Sequence, residues 1–190
     1  MTQKVNGSTI DLILNLGCGD ETPSKRSSFA YELIEKKKIL IHGGCDNDRD
    51  LGDAFMLNLD EYKWERLYKV EKQIGQALVG HSSILINKGH RYDREAILLF
   101  GGWNGQNYSN RTYFIDTSII HQFSYLAFLE FFEVLDNKEN WANYPSARKD
   151  HTLAFDKLDD KIYLFGGWNP LDWNYTDNGF NEVWALNSSE

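Results

Sequence analysis

The chain has little with which to staple itself together. Among 190 residues there are two cysteines, Cys18 and Cys45, and neither stands in a Cys-x-x-Cys pair or a Cys/His ligand spacing. Two are too few for a metal cluster. The sequence reads as a cytoplasmic chain with two reduced thiols, although it leaves a disulfide between them open. Basic charge is short as well: 20 Lys and Arg against 28 Asp and Glu give a net charge of −8. Nucleic-acid and anionic-membrane partners need a basic footprint, so neither is expected. The nearest basic run, Lys36-Lys37-Lys38, lies beside Glu32 and Glu35 and reads as a solvated lead-in to a strand. The apolar patch near the first residue is broken by Asp11 and followed by no small-residue cleavage site, which makes a poor signal peptide. Five Asn-x-Ser/Thr sequons, at Asn6, Asn107, Asn110, Asn174 and Asn187, pull the other way. They carry meaning only in a secreted protein, and Asn also suits turns on its own account.

Catalytic signatures are missing too. Gly101-Gly102-Trp103-Asn104-Gly105 lacks the Lys-Ser/Thr of a phosphate loop, and there is neither an HExxH nor a GxSxG. Of the histidines at 42, 81, 90, 121 and 151, His81 and His151 fall at the same place in a repeat. A structural role repeated per unit explains that better than metal ligation. No catalytic, cofactor-binding or metal-ligating residue is therefore expected, and no cofactor.

What is present is repetition. Apolar runs end on a glycine pair three times: Gly43-Gly44, Gly101-Gly102 and Gly166-Gly167, with first glycines 58 and 65 residues apart. Periods of this size with several short strands each indicate β-units rather than a helical solenoid. In the third unit, His151 to Phe155 and Lys161 to Phe165 flank a turn rich in Asp, a hairpin signature, and Glu182 to Leu186 follows after a polar loop. The second runs through Ile84-Leu85-Ile86 and resumes at Ala96 to Phe100. The first runs from Phe29 to Leu33, resumes at Ile39 to His42 and closes on Asp53 to Asp60 before Trp64. Arg26 and Arg148 lead the first and third units from equivalent positions, and Phe29 or Tyr31 stands in the first where a His is expected. Ile10 to Leu16 has the look of the tail of a preceding unit.

An Arg- or His-led strand, an apolar strand ending in Gly-Gly, an apolar strand closing on Asp and then a Trp resemble the kelch repeat, over roughly residues 24 to 187. The structural motif positions are Gly43, Gly44, Gly101, Gly102, Gly166, Gly167, His81, His151, Trp64 and Trp141. The resemblance implies an all-β fold of kelch-type β-propeller blades. About three four-stranded blades and a partial N-terminal strand are expected: a preceding tail or cover at 1–23 and repeats at 24–79, 80–144 and 145–190, the last truncated at its final strand. Kelch rings are closed by more blades than this. The open ends therefore call for further sequence, for self-association that completes the ring, or for a local cover. The segment 117–140, which interrupts the second repeat, is a candidate cover. Its apolar residues fall near a helical period, yet Phe131 to Asp136 followed by Trp141 also resembles a strand.

Propeller loops held by rigid strands commonly carry function. Two loops here are rich in Trp, Tyr and Asn: Trp103, Asn104 and Tyr108 in one, and Trp168, Asn169, Trp173 and Tyr175 in the other. Large rigid rings with adaptable hydrogen bonding suit protein interfaces. The expectation is a non-enzymatic protein–protein interaction module, an adaptor or scaffold, that binds its partner through these loops. The bland reading of Trp103 and Trp168 is packing between blades. The rival reading is a kelch-type enzyme or carbohydrate-binding propeller, in which Arg26 and Arg148 would point into a pocket on the ring axis.

Overall fold

A computed structural model describes residues 22–86, 95–117, 144–171 and 179–187, together with the backbone of two strands nearer the N-terminus, β1 (Thr2–Val5) and β2 (Ser8–Asp11). These two pair with each other as a hairpin. The rest of the described chain is three antiparallel sheets, each a meander in chain order. The first holds β3 (Ala30–Ile34), β4 (Lys38–His42), β5 (Ala54–Asn58) and β6 (Lys63–Arg66). The second holds β7 (Ser82–Ile86), β8 (Ala96–Phe100) and β9 (Thr112–Asp116). The third holds β10 (Thr152–Asp156), β11 (Lys161–Phe165) and β12 (Val183–Asn187). The fold is all-β, as the alternating apolar runs predict, and none of the sheets closes on itself.

The leading strands β3, β7 and β10 lie side by side, so the sheets are stacked face to face in sequence order. Burial follows from that stacking. All five residues of β8 are buried, because the second sheet is covered on both faces, whereas β11 buries only Ile162 and Leu164. One apolar layer fills the first seam, with Ile34, Leu40 and Met56 against Ile97, Leu99 and Tyr113. The other fills the second seam, with Ile86, Leu98, Phe100 and Phe114 against Ile162 and Leu164. A fully buried Leu or Ile is worth about 1.5–3 kcal/mol, so these layers supply most of the favourable energy.

One element was not anticipated. A seven-residue helix, α1 (Tyr68–Ile74), follows β6 and adds Val70 and Ile74 to the first seam. Gly75 ends it in the left-handed conformation (φ 67°) and donates its N–H to the Glu71 carbonyl at 2.9 Å. The Glu71 carboxylate accepts from the Arg66 guanidinium at 2.8 Å and from the Ala54 N–H at 3.1 Å, tying the helix to the first sheet. Trp64 lies half-buried on β6, edge-on to Phe55 at 6.4 Å. Trp141, Trp173, Tyr175, Cys18, residues 12–16 and the segment 118–140 lie outside the described residues, so the helix-or-strand alternative for that segment does too.

Candidate functional site: the loops beyond the glycine pairs

The site is built from the glycine pairs outward. Each pair ends the second strand of its sheet with two positive φ angles, 71° and 95° at Gly101-Gly102, a region that costs other L-residues strain. The first glycine bonds back to its own sheet: Gly43 N–H to Asp53, Gly101 to Arg111 and Gly166 to Glu182. The second bonds forward to the next sheet, Gly44 N–H to the Leu78 carbonyl and Gly102 N–H to the Arg148 carbonyl, both at 2.8 Å. A methyl group on Gly43 would lie 3.0 Å from the His81 ring, and one on Gly101 would lie 2.8 Å from the His151 ring. The two repeated histidines therefore occupy hollows that only glycine leaves open in the sheet before them.

Those histidines are enclosed and paired. His81 Nε2 lies 3.0 Å from His42 Nδ1, both buried, and His151 Nε2 lies 2.5 Å from the Ser82 hydroxyl. Among the described residues, His42 Nε2, His81 Nδ1 and His151 Nδ1 have no hydrogen-bond partner. Burial therefore holds all three neutral. It lowers His42 to about 4, against an opposing pull from Asp53, and His151 to about 3, with Arg148 adding to the effect. His81 is lowered by burial and then by His42 and His151. No group of three or more potential ligands converges among the described residues.

The two leading arginines are both engaged. Arg26 forms a two-pronged pair with Asp53 at 2.6 and 3.1 Å and also donates to the Gly43 carbonyl. Arg148, fully buried, donates to Glu182 at 2.6 Å and to the Gly166 carbonyl at 2.9 Å, with its guanidinium 3.8 Å from the centre of the Phe180 ring. They brace the glycine turns from beneath. The middle repeat has Leu78 at this position, and Arg111 in place of the acid. A cavity of ≈ 80 Å³ lies in the second seam, lined by apolar side chains such as Leu98, Phe100, Leu153 and Trp184, with Thr112 and Tyr144 as its hydroxyl-bearing members.

The loops beyond the pairs share a plan. The residue after each pair, Cys45, Trp103 or Trp168, bridges to the leading segment of its own sheet. The next residue folds the loop with its side-chain oxygen: Asp46 accepts from the N–H groups of Asp48 and Arg49, Asn104 from Gln106 and Asn107, and Asn169 from Leu171. Short polar side chains suit this role because they mimic a backbone turn. Asn104 donates to Gln76 and the buried Asn169 donates to the Ala147 carbonyl, so both amides serve the loops at both ends.

The aromatic residues do meet. Trp103 packs on Tyr108 at 5.0 Å, and Tyr108 meets Trp168 edge-on at 5.8 Å, giving a continuous ladder across the loops of the second and third sheets. Trp168 is 39% exposed, while Trp103 and Tyr108 are half-buried. The sequence reading missed Lys149, whose ammonium lies 5.2 Å from the Trp168 ring centre, and its neighbour Asp150. Burial, and then the Asp150 carboxylate, raise the Tyr108 hydroxyl, which stays protonated. The signal for Lys149 was its place beside Arg148 in the leading segment, which pairs with Trp168 across the turn. The result is an aromatic surface with a cation at one end, flanked by the exposed Gln106, Asn107 and Leu171. In comparison with known proteins, the chain matches no family model and no curated sequence. No helix among the described residues is long and apolar enough to cross a membrane.

Proposed function

We propose that the chain is a run of kelch-type propeller blades that acts as a protein-binding module, an adaptor or scaffold in the cytoplasm, through the Trp103–Tyr108–Trp168 surface. The blade assignment is supported by three meanders with adjoining leading strands and by the recurring contact of a glycine pair with a histidine of the next sheet. The binding assignment rests on one observation above all: the aromatic ladder runs from one loop to the next instead of being divided between separate sheet cores. Rigid aromatic anchors cost little side-chain entropy to dock, and such residues dominate the energy of protein interfaces. The chain's negative charge favours a partner that presents basic or neutral residues to this face.

Carbohydrate binding is the second reading, because the same rings suit stacking on sugars. It loses its best polar residues, since Arg26 and Arg148 are paired with Asp53 and Glu182. The test is affinity capture with the wild-type chain and a Trp168→Ala/Tyr108→Ala variant, with bound proteins quantified by mass spectrometry. A set of proteins enriched by the wild type and reduced at least tenfold by the variant is expected. Equal capture by both would sink the assignment of this surface, and retention of a glycan in place of a protein would favour the second reading.

A further inference from the structure

The two internal seams follow one set of contacts, and each end of the stack carries half of that set with no partner among the described residues. At the first seam Gly44 N–H bonds the Leu78 carbonyl, and Gly80 N–H bonds the Ser28 carbonyl. At the second, Gly102 N–H bonds the Arg148 carbonyl, and Asp150 N–H bonds the Gly80 carbonyl. The equivalent donor on the third sheet is Gly167 N–H, and the equivalent acceptor is the Asp150 carbonyl. On the first sheet the matching acceptor is the Arg26 carbonyl, and the matching donor is Ser28 N–H. None of these four groups makes a backbone hydrogen bond among the described residues.

The side chains repeat the pattern. His81 and His151 each fill a glycine hollow on the sheet before them, at Gly43 and Gly101. The residue in that place on the first sheet is Phe29, which packs on Gly44 as His81 packs on Gly102 and His151 on Gly167. Phe29 is 36% exposed. Gly166, the corresponding hollow on the third sheet, has the Phe180 carbonyl at 3.5 Å as the one described neighbour of a methyl placed there. Ring partners follow suit. His42 meets His81 and Phe100 meets His151, both edge-on, at 5.0 and 5.2 Å. Phe165 holds the same place on the third sheet and is 55% exposed, as are Val183 (64%) beside it and, at the other end, Tyr31 (66%).

We infer that a second copy of this chain docks head to tail, the outer face of the third sheet, around Phe165, Gly166 and Val183, receiving Phe29 and Tyr31 of the other copy's first sheet. The unused donors and acceptors then pair by the rule of the internal seams: Gly167 N–H to the Arg26 carbonyl and Ser28 N–H to the Asp150 carbonyl. Two copies that each offer both faces close on one another, which removes both open ends at once. The choice of a second copy rests on the match of the two unfilled positions. Among the described residues, the hollow-filling position that meets no hollow is apolar (Phe29), and the ring position that meets no ring is apolar as well (Phe165). This interface borders the Trp103–Tyr108–Trp168 surface at Gly167 and Asp150 but contributes backbone groups there and uses none of the three rings, so the ring substitutions test one assignment and Phe29→Asp and Phe165→Asp the other.

Sedimentation equilibrium at about 100 µM, which populates a dimer of micromolar Kd, is expected to give twice the 22.0 kDa chain mass. Phe29→Asp and Phe165→Asp should each return the monomer mass with an unchanged far-UV circular dichroism spectrum, and an equimolar mixture of the two should recover a pair, because one intact face of each kind remains. The Trp168→Ala/Tyr108→Ala variant should self-associate like the wild type. As a check that needs no disruptive substitution, Tyr31 replaced by a photo-reactive benzoylphenylalanine should cross-link to residues 161–168 of an isotopically labelled second chain. A monomer at this concentration overturns the inference. So does dissociation by only one of the two variants, which signals a same-face contact, and so do cross-links confined to one chain or made to a different protein.

Discussion

Gly101 and Gly166 have the same backbone, φ 71° and 70°, and opposite surroundings. A methyl on Gly101 would lie 2.6 Å from the Arg148 carbonyl and 2.8 Å from the His151 ring, whereas at Gly166 it would meet a described neighbour at 3.5 Å. The turn itself therefore asks for glycine at both places, and the following sheet asks for it again at only one. The largest effect should come from splitting these two demands. Gly101→Ala combines left-handed strain with overpacking, an expected loss of about 3–5 kcal/mol in urea unfolding, while Gly166→Ala, measured at a concentration low enough to keep the chain monomeric, carries the strain alone, about 1–2 kcal/mol. Equal losses would show that the turn, and not the packed histidine, dictates the glycine.

The arginine pairs allow the same kind of test between repeats. Arg148 is fully buried against Glu182, while the middle repeat fills this position with Leu78 and sets Arg111 opposite. Arg148→Leu removes a buried cation from beside Glu182, which also accepts from the Trp184 indole, for an expected cost of about 3 kcal/mol. Adding Glu182→Arg copies the middle repeat and should recover a measurable part of that loss. A double variant no better than the single one would mean that the two positions are not interchangeable units.

Burial of neutral histidine at both seams sets a pH dependence. An unfolded histidine takes its proton near 6.5, whereas folded His42 does so near 4 and His151 near 3. Between those values the unfolded state binds more protons, so stability is complete above pH 6.5 and falls as the pH drops through this window. The slope is about 1.4 kcal/mol per pH unit for each histidine that remains neutral in the fold. Urea midpoints measured from pH 7 to pH 5 should therefore decline, and His151→Phe should flatten the curve. A profile without slope in the wild type would mean that the histidines are charged in the fold.

Much of this architecture was legible in the sequence, for identifiable reasons. The hairpins show because a strand covered on one face alternates, and because Gly-Gly punctuates the same point three times. His81 and His151 are legible as residues at one repeated position, and Arg26 and Arg148 as equivalent leaders. The acids opposite the arginines are not, although Asp53, the partner of Arg26, and its counterpart Arg111 each stand ten residues beyond the first glycine of their pair. The longer polar loop of the third repeat moves Glu182 out of that register, so alignment by spacing hides it. Helix α1 escaped notice because its seven residues carry only two buried apolar side chains, Val70 and Ile74, too few to show a period. The aromatic loops were found by composition. Their joining into one ladder was not, because a contact between Tyr108 and Trp168 crosses between sheets.

The smallest expected effect on stability belongs to the surface with the largest proposed role. Trp168 has its ring partly in solvent, against Tyr108 on one side and the Lys149 ammonium on another. Its removal uncovers no closed layer of either seam, so Trp168→Ala should shift stability by no more than about 1 kcal/mol. Trp184→Ala, made inside the second seam, should cost about 3 kcal/mol by the same urea titration. An exposed Trp on a rigid loop that stability does not require is a residue available for selection by binding. A loss at Trp168 as large as that at Trp184 would return it to a packing role and leave the loop surface without its principal anchor.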